Sequence, residues 1–322
     1  MSEISPAVEA PGPVSAETVE LGRTGLYVSP LGLGTWAWGD RMTWGYGAGY
    51  GADDLKAAFR ASLAAGINFF DTAEIYGRGQ SETFLGQFIQ GMPRRLVTVA
   101  TKFMPYRPLR SSLEAALRAS LDRLQLSQVD LYQIHFPLPP RSIETWISAL
   151  ADVMEQGLTR AVGVSNFSLQ QTRQAAAVLR ARGMSLASNQ MQFSLFDRRI
   201  ESNGLLDYCR EQGITVIAYS PLAKGLATGK YTPENPPPGI RGRQYNRRYL
   251  ARALPLLMTL REIAAQRGVT PGQVALNWTI GKGTLPIPGA KNERQAQDNA
   301  GALGWRLDAG EMAELDRVSG KL

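Results

Sequence analysis

One cysteine and one histidine serve 322 residues. A single thiol excludes an internal disulfide. Together the two residues leave too few ligands for a transition-metal site, which draws on several such groups. No uninterrupted apolar stretch approaches the about 18 residues that a membrane-spanning helix needs. We therefore expect no metal and no membrane partner. Cys209 falls in the helical-looking run Leu205-Leu206-Asp207-Tyr208-Cys209-Arg210, where a buried packing role is expected. A reducing compartment suits such a chain, and the expected location is cytoplasmic. Its 44% hydrophobic and 20% charged residues fit a globular protein with a full core.

The formal net charge is +7, and most basic residues are spread along helix-like stretches. The exception is Arg241, Arg243, Arg247, Arg248 and Arg252, which follow Asn235-Pro236-Pro237-Pro238-Gly239. This cluster reads either as a solvated loop or as a basic lid over a phosphorylated small molecule. No nucleic-acid motif accompanies it, so a nucleic-acid partner is not expected. Residues 1–17 are rich in Pro, Ala, Ser and Glu without apolar periodicity and read as a disordered leader. They lack the arginines of a transit peptide and the apolar core of a secretory signal. Residues 18–322 are expected to form one domain.

From there the chain alternates apolar, strand-like runs with amphipathic helical ones. Strands are expected to end near Gly34, Asp71, Lys102, His135, Ser165, Gln190, Tyr219 and Ile287. The stretch from Ser111 to Leu126 shows the helical period, with Leu113, Leu117, Leu121 and Leu124 on one face. Gly66, Gly157, Gly183 and Gly213 each close a helix just before a strand. Eight such units of roughly 25 to 35 residues predict an α/β fold, a (β/α)8 TIM barrel, whose catalytic groups collect at the C-terminal strand ends. A doubly wound sheet fits less well. The glycine cluster Leu31-Gly32-Leu33-Gly34-Thr35-Trp36 lacks the third glycine of a dinucleotide fingerprint. Leu21-Gly22-Arg23-Thr24-Gly25-Leu26 predicts an N-terminal β-hairpin plugging the lower end. Two helices are expected over residues 252–280 and a last one from Asp308 to Val318.

Three consecutive strand ends deliver ionisable groups: Asp71, Lys102 and the lone His135. Tyr76 follows in Asp71-Thr72-Ala73-Glu74-Ile75-Tyr76-Gly77, on a loop short enough to return the phenol over the rim. A lysine beside a tyrosine favours the phenolate and lowers the phenol's pKa from about 10. Such an acid protonates a developing alkoxide. Asp71 would hold Lys102 charged, and His135 would align a carbonyl oxygen.

With these residues the chain resembles the aldo-keto reductases from about Val19 to Val318. The resemblance implies Tyr76 as general acid, Lys102 and Asp71 as its partners, and His135 as the residue that positions the substrate. It also implies NADPH/NADP+ as cofactor. Gly163-Val164-Ser165-Asn166-Phe167 resembles the nicotinamide-binding strand end, with Ser165, Asn166 and Gln190 on the carboxamide. Tyr219 would stack on the ring. Ser220, Pro221, Leu222 and Gly225 would hold the pyrophosphate, with Gly34, Thr35 and Trp36 also bordering the cofactor. The segment Ile287-Pro288-Gly289-Ala290-Lys291, then Gln295, Asp298 and Asn299, resembles the adenosine-binding part. Lys291 is there the cation for the 2′-phosphate, and Arg241 belongs to a loop that folds over the cofactor.

The first long loop is crowded with aromatic residues: Trp36, Trp38, Trp44, Tyr46 and Tyr50. An aromatic wall suits a flat ring substrate. Trp36, Trp44 and Tyr46 are the expected substrate-binding residues, with Tyr76 and His135. Gly34-Thr35-Trp36-Ala37-Trp38-Gly39 and Lys282-Gly283-Thr284-Leu285-Pro286-Ile287-Pro288-Gly289 resemble the plant-type pyridoxal reductases. That implies reduction of pyridoxal to pyridoxine. A broad-specificity aldehyde reductase, a Schiff-base lyase using Lys102 and a cofactor-binding regulatory subunit remain alternatives. A small carbonyl compound is the expected partner; the sequence does not fix the oligomeric state.

Overall fold

Eight short parallel strands carry the architecture: β3 (Leu33–Gly34), β4 (Phe69–Asp71), β5 (Thr98–Phe103), β6 (Val129–Ile134), β7 (Thr159–Ser165), β8 (Leu186–Gln192), β9 (Thr215–Tyr219) and β10 (Leu285–Pro286). They hydrogen-bond in sequence order, each to its neighbour. The computed structural model describes residues 17–106, 109–237, 242–243 and 245–322. The expected leader therefore lies outside the described residues, except for its last position. Every residue of β5 and β6 is buried, as expected of parallel strands covered by helices on one side and a filled interior on the other.

The sheet closes on itself where Gly34 bridges Gly289 in parallel. The Gly34 N–H donates to the Pro288 carbonyl at 3.0 Å, and the Gly32 N–H to the Pro286 carbonyl at 2.9 Å. Glycine is required at this seam: a Cβ on Gly34 would lie 2.8 Å from the Ile287 carbonyl oxygen. The result is the expected (β/α)8 barrel.

The interior is layered because alternate strand residues face the same way. The lower layer is apolar: Phe69, Ala100, Leu131, Ala161, Ala187, Ile217, Leu285 and Ile287. Two positions further along β4, β5 and β6 come Asp71, Lys102 and Gln133, all buried. The floor is sealed by the expected hairpin, in which β1 (Val19–Glu20) pairs antiparallel with β2 (Tyr27–Val28). Its Leu21, Leu26 and Val28 join the apolar layer, and the Gly22 N–H donates to Thr215 Oγ1 at 2.7 Å.

The surrounding helices follow the sequence pattern closely. Helix Ser111–Leu124 buries Leu113, Leu117, Leu121 and Leu124. Gly66, Gly157, Gly183 and Gly213 all adopt positive φ. The last helix, Ala309–Ser319, is capped by Asp308 in a capping box with Glu311. One boundary differs. The first helix expected from residue 252 starts at Arg247 and runs to Arg267, followed by Pro271–Gly281. Asn246 accepts the Tyr249 N–H and caps the earlier start. Arg247, Arg248 and Arg252 are thus exposed helical residues rather than part of a loop; Arg241 lies outside the described residues. Cys209 is buried in helix Leu205–Gln212, and burial pushes its thiol up to about 12. Among the described residues no helix is long and apolar enough to cross a membrane.

Gly22 and Gly25 share the hairpin turn and both have positive φ, but their surroundings differ. A Cβ on Gly22 would lie 2.6 Å from the Ala187 carbonyl oxygen, whereas one on Gly25 meets nothing within 4 Å. Gly22→Ala is expected to cost about 2–4 kcal/mol and Gly25→Ala about 1 kcal/mol, the backbone share alone. Chemical denaturation of both variants checks this; equal losses would show that the plug does not press on β8.

Candidate active site

The upper interior layer places a cation out of reach of solvent. Lys102, on β5, is fully buried, and its ammonium spends three donors on three oxygens. Nζ donates to Asp71 Oδ1 at 2.5 Å, to the Thr72 carbonyl at 2.8 Å and to the Tyr76 hydroxyl at 3.3 Å. Burial alone would lower the lysine's pKa, but Asp71 and Tyr76 outweigh it and the net direction is upward. The other Asp71 oxygen accepts from Gln190 Nε2 at 2.8 Å and from Gln133 Nε2 at 3.4 Å.

Tyr76 reaches this layer from above, on the turn Tyr76–Gly79 between β4 and helix Gln80–Ile89. The Lys102 ammonium lies at the hydroxyl end of its ring, 4.9 Å from the centroid. The expectation that Lys102 sets a lowered phenol pKa needs correcting. Burial, the largest influence, raises it; Lys102 opposes; Asp71 adds to the rise, and the net direction is upward. In this state Tyr76 is a protonated phenol at neutral pH, with a cation beside it to receive the charge once the proton leaves.

His135 follows β6 directly, its N–H bonded to the Phe103 carbonyl at 2.9 Å. Its ring stands edge-on to Tyr76, centroids 5.8 Å apart, and stacks on Phe136. Burial and then the nearby Lys102 charge push its pKa down to about 3, so the imidazole is neutral. Its Nδ1 is buried without a hydrogen-bond partner among the described residues.

The residues expected at the cofactor divide into groups. Ser165 Oγ donates to the Gln190 carbonyl at 2.9 Å, and Asn166 Nδ2 donates to Ser165 Oγ at 3.0 Å and to the His135 carbonyl at 3.1 Å. The Tyr219 hydroxyl donates to Asn166 Oδ1 at 2.9 Å. These side chains meet beside His135. The Gln190 side chain, however, turns into the barrel to hold Asp71. Pro221 is buried and Leu222 half-buried. Ser220, Ala223, Lys224 and Gly225 have positive φ of 52°, 47°, 56° and 94°. Backbone of this kind forms a concave anion nest. Tyr245 and Leu250 share a buried cluster with Ala223 and Leu226 of this turn.

On the third side, the Lys291 ammonium donates to the Trp44 carbonyl at 3.0 Å and lies 4.9 Å from the Trp44 ring and 4.8 Å from the Tyr50 ring. Gln295 Oε1 accepts the Lys291 N–H. Asn299 donates to the Gly289 carbonyl at 3.3 Å and is buried. Asp298 accepts from Thr270 and Gln273. Thr35 is buried, bonded to the Asp71 carbonyl and to Ser81. In these positions Thr35, Asp298 and Asn299 brace the loops instead of presenting their side chains outward.

Of the aromatic residues, Trp36 contacts both Trp44 and Tyr76, centroids 5.4 and 6.4 Å apart, and is 39% exposed. Tyr46 packs between Tyr50 and Phe84 instead. Trp38 is core, its indole N–H bonded to the Ala290 carbonyl at 3.0 Å. Gln133 was not anticipated, though it sits two residues before His135 and so shares its face by strand alternation. Among the described residues no three His, Cys, Asp or Glu side chains group to hold a metal ion.

The aldo/keto reductase family profile matches residues 30–319. The chain is 45% identical to the chloroplastic pyridoxal reductase of Arabidopsis thaliana over 90% of its own length and 83% of that protein. Among solved structures, the glycerol dehydrogenase of Gluconobacter oxydans superposes with a TM-score of 0.81 at 27% identity, covering 94% of both chains. An aldo-keto reductase from Klebsiella pneumoniae, solved in complex with NADPH, superposes at 0.75 and 29% identity, covering 93% of this chain and 95% of that one. The chain belongs to the aldo/keto reductase family.

Proposed function

We propose that this protein reduces a small aldehyde with NADPH, and that the aldehyde is pyridoxal, yielding pyridoxine. The observation that carries the reading is the unbroken chain from Gln190 through Asp71 and Lys102 to the Tyr76 hydroxyl. It ends on a proton that sits beside a neutral imidazole.

The residues fit a dinucleotide. The left-handed turn from Ser220 to Gly225 suits a pyrophosphate, and Ser165 and Asn166 supply the donors and acceptors a carboxamide needs. Tyr219 presents a partly exposed ring beside them. Lys291 is the cation on the adenosine side. When bound, the reduced nicotinamide supplies hydride to the carbonyl carbon.

The chain's own residues handle the oxygen. Neutral His135 hydrogen-bonds the carbonyl oxygen and fixes its direction. Tyr76 donates its proton to the same oxygen as negative charge develops there. The phenolate left behind is stabilised by Lys102, 3.3 Å away, and Asp71 holds the ammonium in place. Trp36, partly exposed beside Tyr76, supplies the flat face against which an aromatic aldehyde lies, and Trp44 stands edge-on to it at 86°. A lyase using Lys102 as an imine-forming amine fits poorly. That amine is charged and bonded to three oxygens, whereas imine formation needs it neutral.

Support for pyridoxal comes from the 45% identity to the Arabidopsis thaliana enzyme. Steady-state NADPH oxidation with pyridoxal and a panel of simple aldehydes tests it. The expected outcome is a kcat/KM for pyridoxal at least about tenfold above the panel, about 1.4 kcal/mol of discrimination. A flat profile would favour a broad aldehyde reductase, and negligible turnover with tight NADPH binding a regulatory subunit.

Tyr76→Phe is expected to lower kcat at least about 100-fold, with NADPH affinity within about twofold of the parent, because only a proton donor is lost. Unchanged turnover would refute the assignment. Lys291→Ala is expected to weaken NADPH binding roughly 10- to 100-fold and NADH binding far less, the range of a charge-assisted contact to one phosphate. Fluorescence titration with both dinucleotides reads the difference, and equal losses would remove Lys291 from that role.

A further inference from the structure

Tyr76 stands at the head of a strained turn. Gly77, Arg78 and Gly79 are three consecutive residues at positive φ: 55°, 58° and 90°. Arg78 pays a steric penalty there of about 1–2 kcal/mol. Backbone held this way persists only where its surroundings over-determine it. Backbone of Trp38 and Gly39 packs on Gly77 from one side, and the rest of the surroundings starts from the helix that follows directly, Gln80–Ile89.

Two polar residues of its first turn are fully buried, Ser81 and Glu82. Ser81 Oγ donates to the Thr35 carbonyl at 3.0 Å and accepts from Thr72 Oγ1 at 2.9 Å. This ties the helix start to the ends of β3 and β4. Glu82 reaches further. Its Oε1 accepts from Thr101 Oγ1 at 2.5 Å, and its Oε2 accepts from Arg123 Nε at 2.7 Å. Thr101 immediately precedes Lys102 on β5, so one carboxylate joins the Tyr76 helix to the strand that carries Lys102.

Arg123 closes the arrangement from helix Ser111–Leu124. Its Nη2 also donates to Ser120 Oγ at 3.1 Å. Its stem lies directly on the turn: a Cβ on Gly79 would come within 2.7 Å of Arg123 Cδ. At the next contact along the helix pair, a Cβ on Gly86 would lie 2.6 Å from the Arg123 carbonyl oxygen. Neither Arg123 nor Glu82 reaches the reacting atoms, and a buried carboxylate is a costly way to brace a helix.

We propose that Glu82 and Arg123 are positioning residues that set the Tyr76 hydroxyl against Lys102, by clamping the left-handed turn between β5 and helix Ser111–Leu124. The inference rests on the proposed role of Tyr76 as proton donor. Without the clamp the turn relaxes, Tyr76 drifts from the ammonium, and its phenolate loses that stabilisation. A displacement of about 1 Å at such a group costs up to about 100-fold in rate.

The test uses the full chain with saturating NADPH and aldehyde, at temperatures where circular dichroism shows each variant folded. In Arg123→Leu, kcat is expected to fall about 10- to 100-fold, with the NADPH dissociation constant within about twofold of the parent. The alkaline limb of the kcat profile moves to higher pH, because Lys102 no longer favours the phenolate as strongly. Arg123→Lys, which keeps the charge, recovers most of kcat. If Arg123→Leu does not fold, Glu82→Gln carries the same expectation, since it keeps the volume and the Thr101 hydrogen bond but removes the charge. Wild-type kcat and an unmoved alkaline limb in a folded variant overturn the proposal, even if stability falls. Tyr76→Phe, measured alongside, separates the two readings: full turnover there overturns the proton-donor assignment and the clamp with it, whereas a Tyr76→Phe loss beside wild-type turnover in folded Arg123→Leu overturns the clamp alone.

Discussion

A fully buried ammonium sets the terms for the rest of this structure. Removing Lys102 from water is costly, and the cost is met only by complete satisfaction of its donors by Asp71, Thr72 and Tyr76. Breaking such a pair by deleting one partner typically costs about 3–5 kcal/mol. The second Asp71 oxygen must be satisfied in turn, which is why Gln190 and Gln133 point inward from β8 and β6. Below them lies the apolar layer sealed by the hairpin, which keeps water away from the pair. The plug and the polar layer are therefore one construction. A dry floor makes the electrostatics strong, and strong electrostatics demand exact pairing.

The same dryness decides the protonation states. Burial raises the Tyr76 phenol's pKa more than Lys102 lowers it, while burial and Lys102 together keep His135 neutral, down to about 3. One cation thus acts differently on two neighbours. It disfavours a second positive charge on His135 and favours a negative one on Tyr76. The pair is left as a neutral hydrogen-bonding ring and a protonated phenol, the combination that a carbonyl oxygen gaining charge requires. The left-handed turn after Tyr76, braced by Ser81, Glu82 and Arg123, fixes where that phenol stands.

Much of this was legible in the chain before any fold was considered. Strand alternation and repeat spacing brought Asp71, Lys102 and His135 to one rim, because period 2 and the barrel's parallel order leave little choice. The glycine caps and the leucine stripe of helix Ser111–Leu124 followed equally directly from local geometry. Less was legible where a side chain had two available directions. Gln190, expected on the nicotinamide carboxamide, bonds Asp71. Tyr46 was expected at the pocket and packs on Phe84. Thr35, Asp298 and Asn299 hold loops through hydrogen bonds to segments far along the chain. The helix expected from residue 252 starts five residues earlier, at Arg247, because Asn246 caps it there.

The sequence by itself determined the barrel, its plug and the identity of the four central side chains, since those depend on periodicity and on residue type at strand ends. Only the tertiary structure decided how they are charged and held. Whether Tyr76 sits above or below its ordinary pKa depends on the balance of burial against one ion at 3.3 Å. The clamp through Glu82 and Arg123 joins residues from separate helices whose approach no local pattern encodes. Charge and distance of that kind are properties of packing, and packing exists only once the chain has closed on itself.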